Sequence, residues 1–147
     1  MMLLVEARSE MVTSAQILRD RTRIFAIRIV RLCRRLPATP EGRIIATQLI
    51  RSGTSVGANY RAVCRARSKA EFAAKMGVVI EEADETTFWL ELLVNLGFFR
   101  ESQLKDLLSE ANELVAIFVS SRRTVLGANR VAEHKTEAQG LLLTRGG

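Results

Sequence analysis

The sequence predicts an all-α protein: an antiparallel, up-down-up-down four-helix bundle at residues 1–126 and a flexible C-terminal tail at 127–147. Apolar residues recur at intervals of three and four along four segments, as on one face of a helix. The chain has only two prolines, and few stretches alternate in the manner of strands. Short turn signals separate the segments, so neighbouring helices should run antiparallel. A length of 147 residues suits a single core.

The first two helices follow from their stripes and boundaries. Helix 1 is expected from about Ser14 to Leu36, where Pro37 ends it. Thr39 and Pro40 then supply an N-cap and a first helical residue for helix 2, which should reach Arg67. The predicted core stripes are Leu18, Thr22, Phe25, Ile29, Leu32 and Leu36 in helix 1 and Ile45, Leu49, Val56, Tyr60 and Val63 in helix 2.

The last two helices are predicted in the same way. Ser68 and Glu71 form a capping-box pattern, so helix 3 should begin there and end at Gly97. Helix 4 should begin near Glu101 and fade around Val125. The predicted core stripes are Phe72, Met76, Val79, Ala83, Leu90 and Val94 in helix 3 and Leu104, Leu107, Leu108, Ala111, Leu114, Val115 and Phe118 in helix 4.

Two glycines, Gly53 and Gly57, lie inside helix 2. Each costs roughly 1 kcal/mol relative to alanine, so a close approach of a neighbouring backbone should compensate.

The segment from Gln48 to Phe72 resembles a family of small bacterial four-helix bundle proteins encoded in intervening sequences of large-subunit rRNA genes. The resemblance covers about residues 14–125. One departure occurs after the asparagine, where the family carries an acidic residue and this chain has Ala62 or Val63. The matching residues are Gln48, Leu49, Arg51, Ser55, Val56, Asn59, Arg67, Ser68, Glu71 and Phe72, followed by Glu82, Glu85, Leu96 and Gly97.

The resemblance implies the four-helix fold and a ring-shaped homo-oligomer, with a pentamer expected. Accessory variability proteins of diversity-generating retroelements are similar to the same family, and they imply the same assembly. The family's pattern leaves the biochemical activity undefined.

Charge is divided unevenly along the chain. Residues 14–75 contain fourteen basic residues and three acids, a net charge of +11, whereas residues 76–113 contain two basic residues and nine acids, a net charge of −7. This asymmetry predicts a basic face and an acidic face.

Arginines are the candidate binding residues, because planar guanidinium groups pair well with phosphate. Clustered on one side, they would form a surface that follows a nucleic-acid backbone. The predicted phosphate contacts are Arg28, Arg31, Arg34, Arg35, Arg51, Arg61, Arg65, Arg67 and Lys69.

A second set of residues predicts subunit contacts. Ile17 and Ile24 stand among arginines on helix 1, where they form an interface or merely widen the core stripe. Glu81 and Glu85 share a face of helix 3 with Trp89, so partial burial and pairing with the arginines of helix 2 are expected. An ordinary solvated acidic face is the alternative.

Asn59 and Ser55, on one side of helix 2, are expected to fix the helix register through an interhelical hydrogen bond, with a direct nucleic-acid contact as the alternative for Asn59.

Enzyme chemistry has almost no residue support. A di-metal centre in a bundle needs Glu-x-x-His motifs, and the single histidine, His134, is in the tail. No phosphate-binding glycine loop or Ser-His-Asp set is evident, so no catalysis, metal or cofactor is expected. Cys33 and Cys64 lack disulfide or metal spacing and are expected to be buried. Without a signal peptide or an apolar span, a cytoplasmic protein with no membrane partner is predicted.

The sequence therefore favours a non-enzymatic, oligomeric nucleic-acid-binding protein, with RNA as the expected partner. The alternative is a protein-interaction scaffold or accessory subunit that docks an acidic or reverse-transcriptase-like protein.

Overall fold

Four helices make up the described part of the chain. The computed structural model describes residues 1–144, without the side chains of residues 12, 128–133 and 138–144. The helices are α1 (Met2–Cys33), α2 (Pro40–Val63), α3 (Lys69–Asn95) and α4 (Glu101–Thr144), and no strand occurs within these residues.

Two helices are longer than predicted. α1 begins at Met2, well before Ser14, and α4 continues to Thr144, well past Val125. The prediction used the apolar stripe as its criterion, but the added segments consist mostly of residue types that favour helix by intrinsic propensity. The tail boundary at 126/127 remains a prediction, and residues 145–147 of that tail lie outside the described residues.

The predicted helix ends are confirmed at the side-chain level. Thr39 Oγ1 accepts a hydrogen bond from the backbone N–H of Gly42 at 3.1 Å. Ser68 Oγ accepts one from the backbone N–H of Glu71 at 3.0 Å. Glu71 reaches back to the N–H of Arg67 at 2.8 Å, one residue before the expected position. Gly97 has φ +77°, which is the left-handed conformation expected after a helix.

Each helix packs against the next one along the chain, and α1 also contacts α4. The four core stripes are confirmed: nearly all of the predicted residues are buried, and the rest are partly buried against them. The Tyr60 and Phe118 rings meet across the centre with their centroids 5.6 Å apart.

The glycines of α2 permit the close contact with α1. A Cβ added to Gly53 would lie 2.9 Å from the Ile29 side chain, and one added to Gly57 would lie 3.4 Å from the Thr22 backbone. The expected approach of a neighbouring backbone is therefore found at Gly57. At Gly53, the neighbour is a side chain.

A hydrogen bond between buried hydroxyls, rather than Asn59, links α2 to α3. Thr86 and Ser52 are fully buried, and their hydroxyl oxygens are 3.0 Å apart. Asn59 Nδ2 instead donates to the Ser55 carbonyl, four residues earlier on the same helix, at 2.9 Å. The prediction of an interhelical bond there was wrong, because a half-buried asparagine can satisfy its amide locally.

The two cysteines differ in environment. Cys33 is buried, as predicted, and burial raises the pKa of its thiol to about 11. Cys64 is exposed at the end of α2, so the same prediction was wrong there. None of the described helices combines the length and apolar character needed to cross a membrane.

The Ser52–Thr86 bond should couple the two helices energetically. Thr86→Val should lower the free energy of unfolding by about 1–2 kcal/mol, because a buried hydroxyl loses its partner. The same substitution should cost less in a Ser52→Ala background. Urea denaturation of the two single variants and the double variant measures this difference.

Thr124→Val is the matched control, because Thr124 is exposed and its hydroxyl bonds only within α4. It should change stability by less than about 0.5 kcal/mol. Additive effects of the Ser52 and Thr86 substitutions would contradict the coupling.

Candidate nucleic-acid interface

The predicted arginines lie in groups at opposite ends of α2. Arg28, Arg31, Arg34 and Arg35 lie late in α1 and in the turn after it, next to the start of α2. Arg61, Arg65, Arg67 and Lys69 lie at the far end of α2 and just beyond. Cys33, at the end of α1, lies 3.8 Å from the Ala46 carbonyl of α2, fifteen residues before Arg61, so about 22 Å of helix separates the groups. The nine residues do not form a single cluster.

A groove along the contact of α1 with α2 connects the two groups. One section, of about 480 Å³, lies between Arg19, Arg23 and Arg61. The adjoining section, of about 430 Å³, runs past Arg31 and Arg34. The two sections have Arg23, Ala26 and Thr54 in common, so they form one continuous depression, the α1/α2 groove.

Arg19 and Arg23 are absent from the phosphate contacts that the sequence predicts, which on α1 begin at Arg28. A signal was present, because Arg19, Arg23 and Ile27 follow one another at intervals of four and so share a helix face.

Charges in the groove are only partly compensated. Arg19 donates to Gln16 at 2.8 Å, but its buried Nε has no hydrogen-bond partner among the described residues. Asp20 is the carboxylate that lines this section, and it lies 3.4 Å from Arg23. Three guanidinium groups thus face one carboxylate, which leaves the section with an excess of positive charge.

Two of the late α1 arginines face a different helix. Arg28 and Arg35 line a smaller cleft, of about 230 Å³, against Gln103, Leu104 and Leu107 of α4. The Arg35 guanidinium also lies over the Phe99 ring, 5.0 Å from its centroid. Arg31 borders both this cleft and the α1/α2 groove.

Arg51 is used within the protein. It pairs with Glu82 at 3.2 Å and with Glu85 at closer range, so it joins α2 to α3. The pKa of Arg51 is raised, chiefly by the hydrogen bond with Glu85. The pKa of Glu85 is lowered in turn. The hydrogen bond from Arg51 is the larger cause, and the hydrogen bond from the Trp89 indole N–H is the next.

The predicted acidic partners are therefore partly right. Glu85 is half-buried and paired with an arginine of α2, as expected. Glu81 is exposed, and Glu82 takes the place predicted for it. A second pairing joins α1 to α4, where Arg21 contacts Glu110 at 3.0 Å and Glu113 at 3.4 Å.

Apolar side chains remain exposed on the outer faces of α1 and α3. Ile17 and Ile24 are 53% and 52% exposed, so they do not widen the core of this chain. On α3, Phe88 is 54% exposed and packs edge-on against the half-buried Trp89, with centroids 5.0 Å apart. Phe88 was not among the predicted interface residues.

The structure offers no metal site within its described residues, where no group of three or more His, Cys, Asp or Glu could hold an ion. His134 lies 3.9 Å from Glu137, one turn along α4.

The Arg51–Glu85 pair should make stability depend on pH. The pKa of Glu85 in the folded protein is below its ordinary value of 4.5, so its stabilisation is present above that pH and lost as the pH falls through the folded value. Glu85→Gln should lower the melting temperature by a few degrees at pH 7, and this difference should shrink as the pH falls below 4.5 and through the folded pKa.

Glu81→Gln is the control, because it removes an exposed carboxylate on the same helix. Thermal melts across the pH range should show a much smaller effect for it. An effect of Glu85→Gln that persists unchanged at pH 3 would contradict the assignment.

Comparison with known proteins places the chain in a family. The model of the 23S rRNA-intervening sequence protein family matches residues 15–120. A crystal structure of a protein of unknown function from the S23 ribosomal protein family of Bacteroides thetaiotaomicron is 33% identical. The match covers 71% of this chain and 97% of that one, with a TM-score of 0.67. No curated protein shows significant similarity. As its sequence predicted, the chain belongs to the 23S rRNA-intervening sequence protein family.

Proposed function

We propose that this protein is a non-enzymatic nucleic-acid-binding protein whose partner is RNA and whose phosphate contacts come from the α1/α2 groove. One observation carries the proposal: Arg19, Arg31, Arg34 and Arg61 take part in no ion pair within the described residues, although acids elsewhere pair with Arg21 and Arg51.

Unpaired arginines along a groove suit phosphate for a physical reason. Each guanidinium presents planar donors that match phosphate oxygens, and it carries its charge at every physiological pH. Arg65, Arg67 and Lys69 extend the positive charge beyond one end of the groove. The related crystal structure is described as that of a member of a ribosomal protein family, which fits RNA as the partner.

We propose further that the helices form an antiparallel up-down-up-down bundle that assembles head to tail. α1 and α3 make no contact with each other in the described chain, so their outer faces point in different directions. One face carries Ile17, Ile24 and Arg28, and the other carries Glu81 and Phe88. Complementary faces of this kind produce heterologous contacts, which close into a ring when the rotation between neighbouring subunits allows it. A pentamer is the size implied by the family resemblance.

The outer face of α3 also supports a second function. Its exposed Phe88 beside acids could dock another protein, as in a scaffold or an accessory subunit of a reverse-transcriptase-like enzyme. Capture of a protein from nuclease-treated lysate, with no salt-dependent RNA binding by the purified chain, would support this function instead.

Salt dependence tests the proposed phosphate contacts. Binding of a generic RNA should weaken steeply with salt, with a slope of log affinity against log salt of about −0.7 per contact on single strands. Arg61→Gln/Arg65→Gln should flatten this slope by about 1–1.5 units per subunit engaged, whatever the RNA sequence. Fluorescence anisotropy over a salt series measures the slope.

Arg51→Gln is the control, since its guanidinium is already occupied by Glu82 and Glu85. It should leave the slope unchanged. An unchanged slope for Arg61→Gln/Arg65→Gln, with the assembly intact, would reject the role of these two arginines.

The assembly is tested by mass. Ile24→Asp should dissociate the oligomer while the helical circular dichroism persists, because a charge would enter a desolvated contact. Size exclusion with light scattering gives the masses. Ile44→Asp alters another exposed isoleucine, on α2, and should leave the assembly intact. A monomeric mass for the unmodified protein at micromolar concentration would refute the proposal.

A further inference from the structure

We infer that the α1/α2 groove accepts a single strand lengthwise, with phosphates on the arginines at its two ends and bases against its apolar middle. This inference rests on the proposed nucleic-acid binding and specifies its substrate class. The strand, rather than the duplex, would be the form of nucleic acid that this groove recognises.

The groove is narrow, because α1 and α2 pack closely against each other. At Gly53, α2 lies so close to α1 that an added Cβ would be 2.9 Å from the Ile29 side chain, whereas a Cβ at Gly57 would make an ordinary contact with the Thr22 backbone. The axes of packed helices are about 8–10 Å apart, so the depression between them is narrow. A phosphodiester strand fits along such a depression. A duplex is much wider and would reach only the arginines on the rim.

The groove is long enough for a few nucleotides. Arg19 and Arg34 are fifteen residues apart on α1, which is about 22 Å of helix. A stacked strand rises about 3.4 Å along its axis per nucleotide, and an extended strand rises farther. The groove therefore suits about four to six nucleotides, at the lower end of the site sizes known for single-strand-binding modules.

The middle of the groove distinguishes the two forms of nucleic acid. Its second section is lined by Ala26, Ile27 and Val30 between Arg23 and Arg31. Ile27 is 43% exposed there. Bases of a single strand can cover such apolar side chains, whereas the bases of a duplex face each other. No aromatic ring lines either section, so these contacts should discriminate little between sequences.

The other section is the strongest anchor for a phosphate. Arg19, Arg23 and Arg61 converge on it, Thr54 adds a hydroxyl, and Asp20 is its opposing carboxylate. The buried Nε of Arg19 still lacks a hydrogen-bond partner within the described chain. Gly57 and Ala58 leave room on the α2 side, so a phosphate oxygen can approach these donors.

The test compares a fluorescein-labelled 12-nucleotide RNA with the same strand annealed to its complement, at about 100 mM salt. The unmodified protein should bind the single strand more tightly. Arg19→Gln/Arg23→Gln should weaken single-strand binding about tenfold or more, and duplex binding much less. Arg65→Gln/Arg67→Gln removes two positive charges outside the groove. It should weaken the binding of the single strand and of the duplex by similar factors, and by less than Arg19→Gln/Arg23→Gln weakens single-strand binding.

A second pair of variants leaves every arginine in place. Ala58→Glu should weaken single-strand binding, because it places a carboxylate on the groove wall. Ala58→Gln adds similar bulk without charge and should weaken it less. Circular dichroism checks that each variant is folded.

The results distinguish a failure of the single-strand groove from a failure of nucleic-acid binding itself. Equal losses for the Arg19/Arg23 and Arg65/Arg67 pairs, or equal effects of Ala58→Glu and Ala58→Gln, would overturn the groove and leave nucleic-acid binding standing. Tighter binding of the duplex than of the single strand would also overturn the groove and leave nucleic-acid binding standing. Absence of binding to either RNA would overturn the proposed function itself.

Discussion

The close contact of α1 with α2 is the constraint on which the arrangement of the candidate site depends. Gly53 receives the Ile29 side chain, and Gly57 lies against the Thr22 backbone. A larger residue at Gly53 would meet the Ile29 side chain and push the helices apart, which would separate the arginines of α1 from Arg61. The glycines cost helix stability, and in return two basic helix faces border one narrow groove.

The distribution of acids completes this arrangement. Ion pairs join α1 to α4 through Arg21 and Glu110, and α2 to α3 through Arg51 with Glu82 and Glu85. Such pairs at partly exposed positions add little stability individually. Their larger effect is on charge, because they neutralise arginines on two helix contacts while the α1–α2 contact keeps most of its charge unpaired. The charge asymmetry of the sequence thus becomes an asymmetry between the sides of the molecule.

Much of the fold was predictable because burial and capping have local signatures. The core stripes follow from spacing, and Thr39, Ser68 and Gly97 mark the helix ends. The full lengths of α1 and α4 were not predictable from stripes, since helix can continue on propensity where no face is buried.

The site was predictable only in part. The sequence indicates arginines as candidate binding residues, but it does not show which of them meet a carboxylate from a distant segment. Arg51 was therefore assigned to phosphate although it pairs with α3, and Arg19 and Arg23 were overlooked although they line the groove. Asn59 was misassigned for a related reason, because a local hydrogen bond competes with a tertiary one and the sequence alone does not decide between them.

Because the two cysteines differ in exposure, one of them can be labelled selectively. The thiolate is the form of cysteine that attacks thiol reagents, and burial both shields Cys33 and disfavours its ionisation. Cys64 is exposed, three residues beyond Arg61. A maleimide dye would therefore attach at one position without any engineered residue. Its fluorescence would report from the end of α2 where the groove arginines meet the basic α2–α3 connection.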